Sequence, residues 1–175
     1  MSLDKIKPEE LSFRVLQQSD DLTEFDCSLN DSMGLNEFIR REALDYQREK
    51  LGVTYLFYYR NEVVGFATLA MSGIEIKEAP YLLSIILPSK TRIRDYPALL
   101  IGRLGTRNDF RDRHVGRNIC LWCLSTAAEL CKKIGCKLVI VLTEGETAKF
   151  YGKVGFEIFP RYEKKDRKWM YLKIP

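Results

Sequence analysis

No apolar run in the sequence approaches the roughly 20 residues that a membrane-spanning helix requires. The first ten residues, Met1 to Glu10, hold no apolar core of the signal-peptide kind, so the cytoplasm is the expected location. Neither sign of charge dominates. Twenty-eight Lys and Arg against 24 Asp and Glu leave a formal charge of +4, too small to announce nucleic-acid binding by composition alone. Repeats, low-complexity stretches and linker-like segments are absent, and 175 residues suffice for one domain with its own core. At 46% hydrophobic and 30% charged, the composition is that of an ordinary globular chain.

Cysteine is not scarce, but its pattern excludes two uses. Five cysteines, an odd number, in a chain without a secretion signal argue against a disulfide framework. Cys120, Cys123, Cys131 and Cys136 begin with a zinc-like Cys-x-x-Cys. The first three fall on one expected helix, however, whereas structural zinc ligands sit on turns that wrap the ion. These thiols read as small buried hydrophobes, and no metal is expected.

What is present alternates between strand-like and helix-like segments. Phe13 to Leu16 suits a short first strand. Asn30 or Asp31 can cap a helix in which Leu35, Phe38, Ile39 and Ala43 recur at helical spacing. That helix should end near Lys50, with Gly52 as its stop. Val53 to Tyr59 and Val63 to Ala70 are rich in β-formers and flank Arg60-Asn-Glu62, which predicts an antiparallel hairpin. Residues 74–95 stay open between an extra strand and a covering helix, since Pro80 and Pro88 bracket the apolar Tyr81 to Leu87. Tyr96 to Thr106 and Lys137 to Leu142 suit buried strands. Between them a helix from Gly116 or Arg117 to Ile134 should bury Ile119, Cys120, Cys123, Ala127, Leu130 and Ile134 and be capped by Gly135. Glu146 to Lys153 suits a short helix; Gly155 to Phe159 and Lys168 to Ile174 suit closing strands. The expected fold class is α/β: a mixed, mostly antiparallel sheet with a central parallel strand pair, flanked by helices.

The loop Arg107-Asn-Asp-Phe-Arg-Asp-Arg-His-Val-Gly116 joins the apolar run ending at Thr106 to the long helix. A strand, a short loop and a helix start make an anion site. The first backbone N–H groups lack a helical partner, and the macrodipole adds partial positive charge. Arg111, Arg113 and Arg117 add full charges, so a polyphosphate is the expected ligand. The loop has neither the Gly-Lys-Ser/Thr ending of a Walker sequence nor Gly-x-Gly-x-x-Gly. Instead Arg111-Asp-Arg-His-Val-Gly116 resembles the acetyl-CoA loop of the GNAT N-acetyltransferases, Gln/Arg-x-x-Gly-x-Gly/Ala, with His114 at the middle glycine. Phe150-Tyr-Gly-Lys-Val-Gly-Phe156 resembles that family's second signature, Phe-Tyr-x-x-x-Gly-Phe. The resemblance covers residues 11–175 as one domain, with 1–10 as an N-terminal extension.

This resemblance implies acetyl-CoA as co-substrate. Leu104, Gly105 and Thr106 would hold the acetyl and pantetheine groups along their strand. Arg111 would open the loop, and Asp112, Arg113, His114, Val115, Gly116 and Arg117 would cradle the diphosphate. Gly105 carries a second reading, because a residue without Cβ serves tight packing as well as close approach of a ligand. His114 and Asp112 both imply a departure from the loop's usual backbone. Tyr151 is assigned to protonate the departing thiolate; the alternative is a core aromatic, as Phe150 and Phe156 are taken to be. The glutamate base of many family members has no counterpart between Tyr96 and Thr106, which leaves Glu144 and Glu146 as substitutes.

The implied function is N-acetyl transfer from acetyl-CoA to a primary amine. Phe25-Asp-Cys-Ser28, Leu35-Asn-Glu-Phe-Ile39 and Leu100-Ile-Gly-Arg-Leu104 are similar to the acetyltransferase toxins of toxin–antitoxin pairs. Those enzymes acetylate the α-amine of aminoacyl-tRNA and are restrained by an antitoxin. The partners so implied are charged tRNA and an antitoxin, with no membrane, and a homodimer stays open. The basic clusters Lys90 to Arg94 and Arg161 to Lys168 would give a tRNA backbone something to hold. An acetyltransferase for a small amine or a protein amine, and a CoA-binding module without catalysis, stay open as alternatives.

Overall fold

Arg60 and Asn61 both take left-handed backbone, with φ of 48° and 67°, the pairing that a two-residue antiparallel turn requires. The computed structural model describes residues 4–75, 82, 93–159 and 167–174. Around the turn, β2 (Val53–Tyr59) and β3 (Glu62–Glu75) pair from Tyr59↔Glu62 to Val53↔Leu69, with one irregularity at Phe57/Tyr58. β1 (Ser12–Val15) runs antiparallel to β2. The remaining strands among the described residues are β4 (Asp95–Thr106), β5 (Leu138–Glu144), β6 (Glu157–Ile158) and β7 (Arg167–Lys173). In hydrogen-bond order the sheet reads β1-β2-β3-β4-β5-β7-β6; β4 and β5 are parallel and the other pairs antiparallel. That is the mixed sheet the sequence predicts.

The first helical segment is not uniform. It runs as α1 (Leu35–Glu37), a π turn (Phe38–Glu42) and α2 (Ala43–Arg48). Its N-cap residue is Gly34, φ 69°, not Asn30 or Asp31; the Asp31 carboxylate still accepts the N–H of Leu35 at 2.8 Å and of Asn36 at 2.9 Å. The stop is Lys50 in left-handed conformation, φ 59°, and not Gly52. Gly52 serves packing instead, since a Cβ there would lie 3.0 Å from Thr68 Cγ2.

The long helix α3 (Val115–Cys131) starts where expected and ends sooner. The N–H groups of Lys133 and Ile134 both reach Leu130 O at 2.9 Å, which tightens the last turn. Ile134 is thereby half exposed rather than on the inner face, and Gly135 is not left-handed, so it is no C-cap. Ile119, Cys120, Cys123 and Ala127 are buried as expected. The last helix among the described residues is α4 (Thr147–Val154).

Two compact units divide the chain, Met1–Ala70 with Ile101–Cys123, and Met71–Leu100 with Leu124–Pro175. The first has a core built on Leu16, Phe25, Phe38, Ile39, Leu56 and Phe66. The second has one built on Ile74, Leu82, Tyr96, Leu138, Ile140 and Phe159. Full burial of one such side chain is worth about 1.5–3 kcal/mol. Cys27, Cys120, Cys123 and Cys136 are buried and Cys131 is partly so. Burial pushes the Cys27 and Cys120 thiols up to about 12 and Cys123 well above its ordinary value.

Among the described residues no three His, Cys, Asp or Glu side chains are grouped to hold a metal ion. No helix among them is long and apolar enough to cross a membrane. Of the undecided stretch 74–95, residues 76–81 and 83–92 lie outside the described residues, as do Lys90 to Arg92 of one basic cluster and Arg161 to Asp166 of the other.

Candidate active site

The loop after β4 is pinned at its start. Arg107 N–H donates to Val64 O at 2.9 Å, and Asn108 bonds Asp26 twice, through its N–H to the carbonyl at 2.8 Å and through Nδ2 to the carboxylate at 2.9 Å. The Arg107 guanidinium is held by Asp109 and Glu62, both at 2.7 Å. A short turn, Asn108–Phe110, then leads into the segment that matches the family's loop.

There the backbone alternates in hand. Asp112 has φ 58° and His114 φ 66°, while Arg113 between them is not left-handed. Alternation between left- and right-handed residues is the backbone pattern of anion-binding nests. Left-handed backbone costs an ordinary L-residue about 1–2 kcal/mol, though Asn, Asp and His accept it more readily than most. At φ 66° His114 holds a conformation that glycine adopts freely. Asn118 N–H donates to His114 O at 2.9 Å, the first bond of the 17-residue α3, whose dipole adds to the nest.

The side chains divide by role. Val115 and Gly105 are buried; Asp112, His114 and Arg117 are exposed; Leu104, Thr106, Arg111, Arg113 and Gly116 are half-buried. Arg113 stacks 4.9 Å from the Phe110 ring centre and 5.5 Å from that of Tyr59. A Cβ on Gly105 would lie 2.5 Å from Phe66 Cε1, so glycine there is accounted for by packing. A Cβ on Gly65 would lie 2.5 Å from Ile119 Cδ1, and this glycine seats the start of α3. Sequence reasoning missed Phe66, Gly65 and Asn118. Asn118 did carry a signal, being a polar residue directly before the apolar Ile119 and Cys120, yet only 6% exposed. Arg103, which opens a basic cluster running to Arg117, has its guanidinium 5.1 Å over the Phe38 ring, and its buried Nε has no hydrogen-bond partner.

In the second unit, Tyr151 lies on α4 and is 4% exposed, its ring centre 4.9 Å from Phe150 and 5.3 Å from Phe156. The helix ends with Gly155 at φ 113°, Phe156 N–H bonded to Tyr151 O at 3.1 Å and Gly155 N–H to Gly152 O at 3.1 Å. This is a Schellman closure, and the Phe156–Tyr151 contact is the apolar clasp that accompanies it. The spacing Phe-Tyr-x-x-x-Gly-Phe therefore has a folding reason that fixes where Tyr151 stands. Glu144 is ion-paired with Arg167, and Glu146 bonds Lys149 Nζ at 2.9 Å.

No protein-family model and no curated protein sequence matches the chain. Solved structures do. AtaTR bound with acetyl-CoA is similar at a TM-score of 0.75 and 20% identity, over 95% of this chain and 95% of that chain. AtaT complexed with acetyl-methionyl-tRNAfMet is similar at 0.74 and 21% identity, over 93% of this chain and 94% of that chain. A variant of KacT with a tyrosine replaced by phenylalanine is similar at 0.74 and 19% identity, over 94% and 95%. The chain has the GNAT-like α/β fold found in the toxin AtaT and in KacT.

Proposed function

We propose that the protein is an N-acetyltransferase that moves acetyl from acetyl-CoA to the α-amine of aminoacyl-tRNA, acts in the cytoplasm and is restrained by an antitoxin. One observation carries the cofactor half of this reading. The alternating backbone of Asp112, Arg113 and His114 opens a long helix at the place where the sequence puts a diphosphate. AtaTR, of the same fold, is bound with acetyl-CoA.

In the reaction the neutral amine attacks the thioester carbonyl carbon. A C–N bond forms, the C–S bond breaks, and the CoA thiolate leaves. Tyr151 donates its phenolic proton to that sulfur and is reprotonated from solvent, while the amine's surplus proton is lost to solvent. Gly116 leaves room for the diphosphate, and the Arg111 and Arg117 charges attract it.

The acceptor follows from acid–base chemistry. No carboxylate lies between Tyr96 and Thr106 to take the amine's proton. A lysine side chain titrates at about 10.4 and an α-amine at roughly 7.7–8.0, so far more of the latter is neutral at physiological pH. An aminoacyl ester lowers it further by withdrawing electrons. AtaT complexed with acetyl-methionyl-tRNAfMet supports the same choice. The test is incubation of the protein and labelled acetyl-CoA with charged tRNA, small amines and a lysine peptide, followed by mass spectrometry. Acetylated aminoacyl-tRNA is expected. Much faster turnover of the free amine or the peptide would overturn the acceptor, and CoA binding with no transfer to anything would favour a binding module.

A further inference from the structure

The carbonyl side of the loop is occupied by the chain's own N-terminal segment. Lys5 Nζ donates to Asp112 O at 2.6 Å, and Ile6 N–H donates to Arg113 O at 3.0 Å. Arg113 Nε donates back to Asp4 O at 3.2 Å. Behind them the buried Asn118 side chain donates Nδ2–H to Ile6 O at 2.8 Å, across 112 residues of sequence. Both backbone polar groups of Ile6, itself 3% exposed, are thereby used by the loop and by the helix it opens.

A trans peptide unit is planar, so the C=O of one residue and the N–H of the next point in opposite directions. Bonding the Asp112 and Arg113 carbonyls to Lys5 and Ile6 therefore aims the N–H groups of Arg113 and His114 away from the N-terminal segment. Those are the donors that the alternating backbone gathers. A glycine at 114 would hold this shape unaided; a histidine holds it against a steric penalty.

We propose that residues 4–7, locked by Asn118, are positioning residues for the diphosphate of CoA, supplying from behind the loop the conformational bias that the missing glycine would supply from within. The inference rests on the reading of this loop as the diphosphate site. It predicts that the support matters to ligands carrying a diphosphate and not to those lacking one.

The test uses the full chain and two variants. Asn118→Leu keeps the volume and removes the donor to Ile6 O; Lys5→Met removes the exposed bond to Asp112 O. Affinity for CoA is measured by calorimetry and affinity for pantetheine, which has no diphosphate, by ligand-observed NMR. Hydrogen exchange follows the Arg113 and His114 amides. Asn118→Leu should weaken CoA about tenfold and Lys5→Met about threefold, with pantetheine unchanged and both amides exchanging faster. If Asn118→Leu does not fold, Lys5→Met decides. Wild-type protein that binds CoA no more tightly than pantetheine would overturn the diphosphate reading itself. Wild-type protein that prefers CoA, with variants that keep the same preference, would overturn the positioning inference alone.

Discussion

The loop from Arg111 to Gly116 and the end of α4 from Tyr151 to Phe156 both need a residue in left-handed backbone, and they obtain it differently. At α4 the residue is Gly155, φ 113°, and every hydrogen bond that closes the helix stays within five residues. In the loop the residues are Asp112 and His114, and the carbonyls of Asp112 and Arg113 are held by residues more than 100 positions away. A segment with glycine in the right place is self-sufficient. A segment without it borrows its shape from the rest of the fold. The first is therefore suited to fixing one side chain, Tyr151, and the second makes the loop's shape dependent on distant contacts.

The sharpest way to separate the two is by function. Tyr151→Phe should lower turnover by about 10²–10⁴-fold while leaving CoA affinity as it is, because the hydroxyl acts only as charge develops on sulfur. Steady-state rates alongside calorimetry check this, and a variant turning over at the wild-type rate would leave Tyr151 a core aromatic. Gly116→Val should do the reverse at the loop. A branched side chain in the first turn of α3 would obstruct the diphosphate and weaken CoA by about 100-fold, roughly 2.7 kcal/mol. Unchanged affinity would remove the diphosphate from this position.

Stability sharpens the comparison further. Gly155→Ala should cost about 1–2 kcal/mol, since an L-residue resists φ near 113°, and lower the melting temperature by roughly 2–8 °C. His114→Gly should change stability by less than about 1 kcal/mol. Relief of left-handed strain there is offset by the greater freedom of glycine in the unfolded chain. Thermal melts of the two variants side by side test the contrast; equal destabilisation would mean that His114 is not strained.

These contrasts also explain what could be seen in the sequence. The hairpin was legible because β-formers flank a pair of turn residues at Arg60 and Asn61. The loop's place before α3 and the place of Tyr151 on α4 were legible by spacing. Helix ends were not, because glycine is an unreliable mark of a stop: Lys50 ends its helix in left-handed form without being glycine, and Gly135 is glycine without being left-handed. Gly52, Gly65 and Gly105 answer to Thr68, Ile119 and Phe66, partners that only the folded chain brings near. The support of the loop was invisible for the same reason, since nothing in Lys5, Ile6 or Asn118 announces a contact spanning 107 or 112 residues.

The buried cysteines make the protein its own opening sensor. Only a thiolate is alkylated, and a thiol titrating near 12 is ionised in roughly one molecule in ten thousand at pH 8. In the native state a maleimide should therefore modify Cys131 first and spare Cys27, Cys120, Cys123 and Cys136, which local opening must expose. Cys27 and Cys136 belong to different compact units. Their labelling rates, read by peptide mass mapping, report the opening around each cysteine without any engineered probe.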